Sequence, residues 1–368
     1  MLLTFHRENF FKIQITVVFT NLLPSFIVSG YKRKKFKPKM KNKPKISVLM
    51  SVYNDSIHLN EAIDSILNQT FKDFEFIIIN DGSTDLSLDI LKEYEEKDSR
   101  VKVYTNASNI GLAKSLNKGF LLASGDYIAR MDADDYSYPT RLQKQFEFME
   151  NHKNIMVCGT SMEIYEYDNK FMILPIKHNA IAAGLIFGTN FYHPTVMFRS
   201  DFIKKNKIMY PEDYKYAQDY GLWINLLKLN QENIFSNLEE ALLKYRIHPD
   251  RNRKNYFSIQ TSFAIKAQIN ALDMFNIEVN EDVLYNLNFS IENLSLDDIK
   301  KCNAVLDKIK TKNKELCPYF YKNLEVAIVR KKVSLFRRCE KKSLFYPYMK
   351  VKARLIYLMN RKMIKALN

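Results

Sequence analysis

The stretch YIARMDADDYSYP, residues 127–139, sets three carboxylates, Asp132, Asp134 and Asp135, within four positions directly after an apolar, strand-like run. Like charges this close repel, so the cluster either solvates a turn or meets a cation. The matching chemistry is that of a hard divalent ion, because Mg²⁺ or Mn²⁺ takes carboxylate and phosphate oxygens and leaves positions open for a substrate. Read alone, the cluster favours an ordinary turn in which Asp134 or Asp135 caps the next helix. Two neighbouring segments change that weighting. SVYND and INDGSTD each follow a buried strand, so Tyr53 and Asp81 would stand at the same edge of a sheet as the aspartates. A tyrosine offers a stacking face for a base, and a carboxylate accepts from an N–H or a ribose hydroxyl. Neither a G-x-G-x-x-G turn nor a Walker A sequence is present, so phosphate charge would have to be met by a metal.

The elements that must position these residues read as alternating strands and helices. ISVLMSVY (46–53), FEFIIIN (74–80), VKVYT (101–105) and YIARM (127–131) are strand-like. Between them lie a helix with Leu59, Ile63, Ile66 and Leu67, capped by Asp55 or Ser56, one with Leu86, Ile90, Leu91 and Tyr94, and one over 111–124. This alternation predicts an α/β fold, a mainly parallel sheet with helices on both faces, whose ligand site lies past the carboxyl ends of the strands. Pro139 reads as the first residue of a helix carrying Leu142, Gln145, Phe146 and Met149. Short strands follow within 155–165 and 194–199, then a helix from Asp219 to Leu229, and beyond residue 255 the chain reads as helical and increasingly basic.

Of 368 residues, 46% are hydrophobic, enough for a large core, and Cys158, Cys302, Cys317 and Cys339 show no C-x-x-C spacing, which argues against a zinc site or disulfide framework. The net charge of +15 sits in the flanks. Residues 31–45 hold nine Lys/Arg and no acid, and residues 321–368 hold fourteen against Glu325 and Glu340, so the middle of the chain is mildly acidic. Basic flanks beside apolar segments suit an anionic membrane surface better than nucleic acid. The apolar run Ile13 to Ser29 is marginal for a membrane span and is no secretory signal; it reads as an anchor, or as residues ahead of a true start at Met40. After Pro347, Lys350, Arg354, Arg361 and Lys365 fall opposite Leu355, Ile356, Met359, Met363 and Leu367, the pattern of a helix lying in a membrane interface or packed on its own domain.

ISVLMSVYND, FEFIIINDGSTD, NASNIGLAKSLNKGF, GDYIARMDADD, HPTVMFR, YAQDYGLW and YRIH follow one another in the order found in the inverting glycosyltransferases of family 2. The chain resembles that family over about residues 46–250, and the resemblance implies a GT-A fold and a metal-dependent transferase of the hexosyl type. A nucleotide-binding half (46–138) and an acceptor half (139–250) would be flanked by the N-terminal segment 1–45 and the basic helical region 251–368. It further implies that Tyr53 packs on the nucleobase and Asp81 bonds the base or ribose, with Asn109, Gly111 and Lys114 on the donor side. Asp134 would ligate Mg²⁺ or Mn²⁺, Asp132 would lie between metal, ribose and diphosphate, and Asp135 would ligate or brace. Asp219 matches the general base, although Gln218 and Gly221 stand where acids are common. Arg246 and His248 sit where the family has a diphosphate or metal contact, and His193 where it has a structured floor.

The expected reaction moves a sugar from a UDP-linked donor to a glycan or lipid-linked acceptor in bacterial surface-polysaccharide synthesis, at the cytoplasmic face of the inner membrane. Two other readings stay open. A nucleotidyltransferase would also use aspartates and a metal, but SVYND lacks its Gly-rich basic loop; a non-catalytic relative would act as a scaffold through its basic tail.

Overall fold

The computed structural model describes residues 43–166, 170–229, 232–247, 253–291, 293–316, 320–339 and 346–366. The N-terminal apolar run, Met40 and His248 lie outside the described residues, as do the side chains of Met359, Arg361, Met363 and Lys365.

The first half runs β1 (Ile46–Val52), α1 (Leu59–Leu67), β2 (Phe74–Asn80), α2 (Ser87–Lys97), β3 (Val101–Thr105), α3 (Leu112–Leu122), β4 (Tyr127–Asp132) and β5 (Tyr136–Ser137). Then follow α4 (Arg141–Asn151), β6 (Val157–Ile164), β7 (Phe171–Met172), α5 (His178–Leu185), β8 (Met197–Arg199), α6 (Ser200–Lys205), α7 (Gln218–Lys228) and β9 (Phe235–Tyr245). Among the described residues the α-helices α8 (Arg253–Leu272), α9 (Glu281–Asn288), α10 (Leu296–Leu316), α11 (Tyr321–Arg337) and α12 (Tyr346–Ala366) follow.

Among the described residues the strands form one sheet in the order β3-β2-β1-β4-β8-β6-β9-β5, with β7 on β6. β3, β2, β1 and β4 are parallel, β8 enters antiparallel, and β6 and β9 pair in parallel. Strands buried on both faces need apolar residues at nearly every position, and β2 is buried throughout. Alternation then sorts them. Val48, Met50, Tyr127, Ala129 and Met131 face a core completed by α1 and α4, whereas Leu49, Ile77 and Ile128 face one shared with α3, α5, α7 and the C-terminal helices.

Several local expectations are corrected. No side chain caps α1, which begins at Leu59 behind His58; the amides of Asp55 and Ser56 instead donate to Ser87 Oγ and Asp85 Oδ2. Pro139 precedes α4 in a turn, with Thr140 at the cap position, and its carbonyl accepts from the Thr70 amide at 2.8 Å. Tyr136–Ser137 is a short strand rather than loop, paired antiparallel to Leu243 and Lys244 of β9. The described cysteines, Cys158, Cys302 and Cys339, are free and buried.

On α12, Met349 and Ala353 are buried and Ile356 packs against the same core, while Val351, Leu355 and Leu358 are at least half exposed. Leu355 and Ile356 therefore lie on different faces, and part of this helix packs on its own domain. No described helix is long and apolar enough to cross a membrane.

Candidate active site

Register brings the sequence-predicted residues to one edge. Ser51 of β1 lies opposite Asp132 of β4, Val52 opposite Asn80 of β2, and Asn80 opposite Thr105 of β3. The residues that follow these strand ends, Tyr53, Asp81 and Asn106, are therefore neighbours by construction. Tyr53 leaves 49% of its surface exposed, so a ring face is open.

Asp81 is buried, and its carboxylate accepts from Asn106 Nδ2, the Ile110 amide and the Gly111 amide, each at 2.9 Å. It thus organises the loop that carries Asn109 and opens α3 at Gly111. Gly82 lets that loop approach: its φ is +72°, and a Cβ there would stand 2.5 Å from the Ser108 carbonyl carbon. Lys114 is exposed on the first turn of α3. Asn54 ties the first loop to the second by accepting from the Thr84 amide at 2.8 Å.

The three aspartates converge. One oxygen from each of Asp132, Asp134 and Asp135 lies within 4.8 Å of the others. Asp135 is buried; its Oδ1 accepts from the Arg246 amide at 3.0 Å and its Oδ2 is buried without a hydrogen-bond partner. Burial, reinforced by the charges of Asp132 and Asp134, drives its carboxyl well above the usual carboxylate range. An orphaned buried oxygen beside two further hard oxygen donors fits a divalent cation, with Asp132, Asp134 and Asp135 as the groups to hold it.

Arg246 lies behind this cluster. Its Nε donates to the Asp134 carbonyl at 3.0 Å, Nη2 to Glu61 at 2.6 Å, and its guanidinium stacks 3.9 Å from the Tyr165 ring centroid. β9 is thereby joined to the aspartate turn and to α1.

Asp219 sits partly exposed in the first turn of α7. Burial of its carboxylate raises its pKa, opposed by the Tyr220 amide and by the charge of Arg130. Gly221 follows because no side chain fits: a Cβ there would stand 2.7 Å from Pro211 Cγ and 3.1 Å from the Tyr214 ring. His193 is packed, with Nε2 2.8 Å from the Tyr210 hydroxyl and its ring against Trp223; burial, then Arg130, push its pKa far down, so it is neutral.

A sequence model of "Glycosyl transferase family 2" matches residues 47–206. An uncharacterized glycosyltransferase of Haemophilus influenzae is 33% identical over 281 residues, covering 73% of this chain and 85% of the relative. The chain is a family 2 glycosyltransferase. The O-antigen biosynthesis glycosyltransferase WbnJ of Escherichia coli is 40% identical over 215 residues, covering 57% of this chain and 82% of WbnJ. The mannosyltransferase PcManGT from Pyrobaculum calidifontis, solved in complex with GDP-Man and Mn²⁺, overlays with a TM-score of 0.50 at 13% identity, covering 89% of this chain and 85% of that one. At that identity the overlay speaks for the fold, which is GT-A.

In this glycosyltransferase, sequence reasoning missed Arg130. It stands two residues before Asp132 on β4, and strand alternation points both side chains to one face. The signal was a single arginine inside an otherwise apolar strand.

Proposed function

We propose that this enzyme is a metal-dependent, inverting glycosyltransferase that moves a sugar from a nucleotide-sugar donor to a hydroxyl of a glycan or lipid-linked acceptor in cell-surface polysaccharide assembly. The observation that carries this reading is the convergence of Asp132, Asp134 and Asp135 at the carboxyl end of the sheet, with the buried Asp135 Oδ2 left unpaired. The acceptor class follows the likeness to WbnJ, whose name places it in O-antigen biosynthesis.

Tyr53 offers its open ring to the nucleobase. Asp81 holds the loop of Asn109 and Gly111 in the shape that frames base and ribose, and Lys114 supplies positive charge beside it. Asp134, Asp132 and Asp135 would hold a bound Mg²⁺ or Mn²⁺, which would offset the charge growing on the leaving diphosphate. Arg246 braces the aspartates.

Asp219 takes the acceptor hydroxyl's proton as that oxygen attacks the anomeric carbon from the face opposite the leaving group. One displacement of this kind inverts the anomeric configuration. A carboxylate raised in pKa by burial is a stronger base than a solvated one.

A panel of nucleotide sugars with purified enzyme and Mn²⁺ tests the assignment by nucleotide release. One donor should be consumed, with release lost in Asp134→Ala; release of pyrophosphate from a nucleoside triphosphate would favour a nucleotidyltransferase instead.

We also propose attachment to the cytoplasmic face of an anionic membrane through α12, where the exposed Val351, Leu355 and Leu358 share a helix with Lys350, Lys352 and Arg354. Leu355→Ser with Leu358→Ser should weaken flotation with anionic vesicles and leave transfer to a soluble acceptor intact. Unchanged flotation would refute this attachment.

A further inference from the structure

Arg130 is an anomaly by position and by surroundings. It is 2% exposed in the middle of the sheet, where an arginine is expensive to bury. Nη2 forms an ion pair with Asp132. Nε and Nη1 are buried and find no acceptor among the described residues. A guanidinium with two idle donors is not there to complete a hydrogen-bond network. Alternation along β4 turns Arg130 and Asp132 toward the face that carries Tyr210 and α7, away from the Tyr127, Ala129 and Met131 side.

Its charge reaches both halves of the site. An arginine guanidinium stays protonated at any pH a protein meets, and Asp132 lies within ion-pair reach of it. The same charge also acts on Asp219.

We infer that Arg130 is a built-in counter-cation of the metal site, which neutralises part of the aspartate cluster when no ion is bound and thereby weakens the hold of that cluster on a divalent ion. Three carboxylates without a counter-charge would repel one another when empty and grip a dication tightly when full. With Arg130 present, the empty cluster is tolerable, and the ion needs the diphosphate oxygens of the nucleotide to complete its charge balance. Ion and nucleoside diphosphate would then bind and leave together. Arg130 touches no substrate in this account; it is a positioning residue that acts through Asp132 and through its charge.

The inference rests on the metal-dependent reading above, and the test separates the two. Binding of Mn²⁺ alone, and of Mn²⁺ with UDP, is measured by titration calorimetry on the wild type and on Arg130→Met, together with the Mn²⁺-induced shift in Tm. Removing a fixed positive charge beside a dication should tighten binding of Mn²⁺ alone by about tenfold or more. The Mn²⁺-induced rise in Tm should also be larger than in the wild type, whereas a purely structural role would lower Tm equally with and without the ion.

Should Arg130→Met not fold, the double variant Arg130→Met with Asp132→Asn is compared with Asp132→Asn alone. In that background Arg130 acts on the remaining carboxylates by its charge alone, so tightening in the same direction, and smaller, is expected. A wild type that binds Mn²⁺ while the arginine-free variant binds it no tighter overturns the inference and leaves the metal site standing. A wild type that binds no Mn²⁺, with or without UDP, removes the site and the inference with it.

Discussion

Two buried carboxylates at opposite ends of the same sheet, Glu75 and Asp135, differ in almost everything but chemistry. Glu75, at the amino end of β2, accepts from Ser47 Oγ at 2.6 Å, from the Ser124 amide at 2.9 Å and from Ser124 Oγ at 2.7 Å, and pairs with Lys102. Burial works against its charge, but these partners win and hold it down to about 2. Asp135, past the carboxyl end of β4, has one amide donor and an orphaned oxygen, and burial drives it the other way. Glu75 is satisfied by its partners and contributes stability; Asp135 keeps an oxygen without a donor, which is what a site awaiting a cation requires.

The sharpest way to break this contrast is to neutralise the second end. Asp219→Asn should cost roughly 10²–10⁴-fold in transfer rate while leaving Tm at pH 8 equal to or above that of the wild type. The sign follows from linkage. A carboxyl whose folded pKa lies above its unfolded value contributes stability that is present at low pH and lost as pH rises through the folded pKa, so its charge is a burden near neutrality. The acid limb of the wild-type pH–rate profile should accordingly lie above the ordinary carboxylate value of about 4. A lower Tm in Asp219→Asn would contradict this.

Glu75→Gln should do the opposite. It should lower stability by about 2 kcal/mol, because the oxygen that pairs with Lys102 is replaced by an amide N–H₂ and the negative charge that the donors stabilise is lost, and leave transfer per folded molecule unchanged. Here the folded pKa lies below the unfolded one, so the contribution is present above about 4.3 and is lost as pH falls toward 2. Thermal melts across that window should flatten in the variant; an unaltered profile would show that the amino end is not the stabilising one.

The amino-acid sequence made the first contrast visible only in part. FEFIIIN gave β2 at its observed bounds because a strand buried on both faces leaves a local signature, and VKVYT gave the half-exposed edge strand β3 through its β-branched and aromatic residues. Strand ends then pointed to Tyr53, Asp81 and the aspartates. What stayed hidden depends on distant partners. Tyr136–Ser137 becomes a strand only because β9 arrives more than a hundred residues later, and Arg246, read as a diphosphate or metal contact, is set against the Asp134 carbonyl by the same strand. Asp81, read as a ligand group, has its carboxylate engaged by a loop of the following βα connection. Arg130 passed as filler in an apolar strand, since its meaning lies in which face alternation gives it. Its one local signal was a lone charge two residues ahead of Asp132 in an otherwise apolar strand.

On the proposed function, the carboxyl end of the sheet holds a divalent ion together with a nucleotide. Electron paramagnetic resonance of Mn²⁺ titrated with protein and UDP tests it most directly, because free and bound Mn²⁺ differ in signal. The wild type and Glu75→Gln should both deplete the free-ion signal beyond what UDP does alone, and Asp134→Ala should not. Equal depletion by all three proteins, or none by the wild type, would contradict the account.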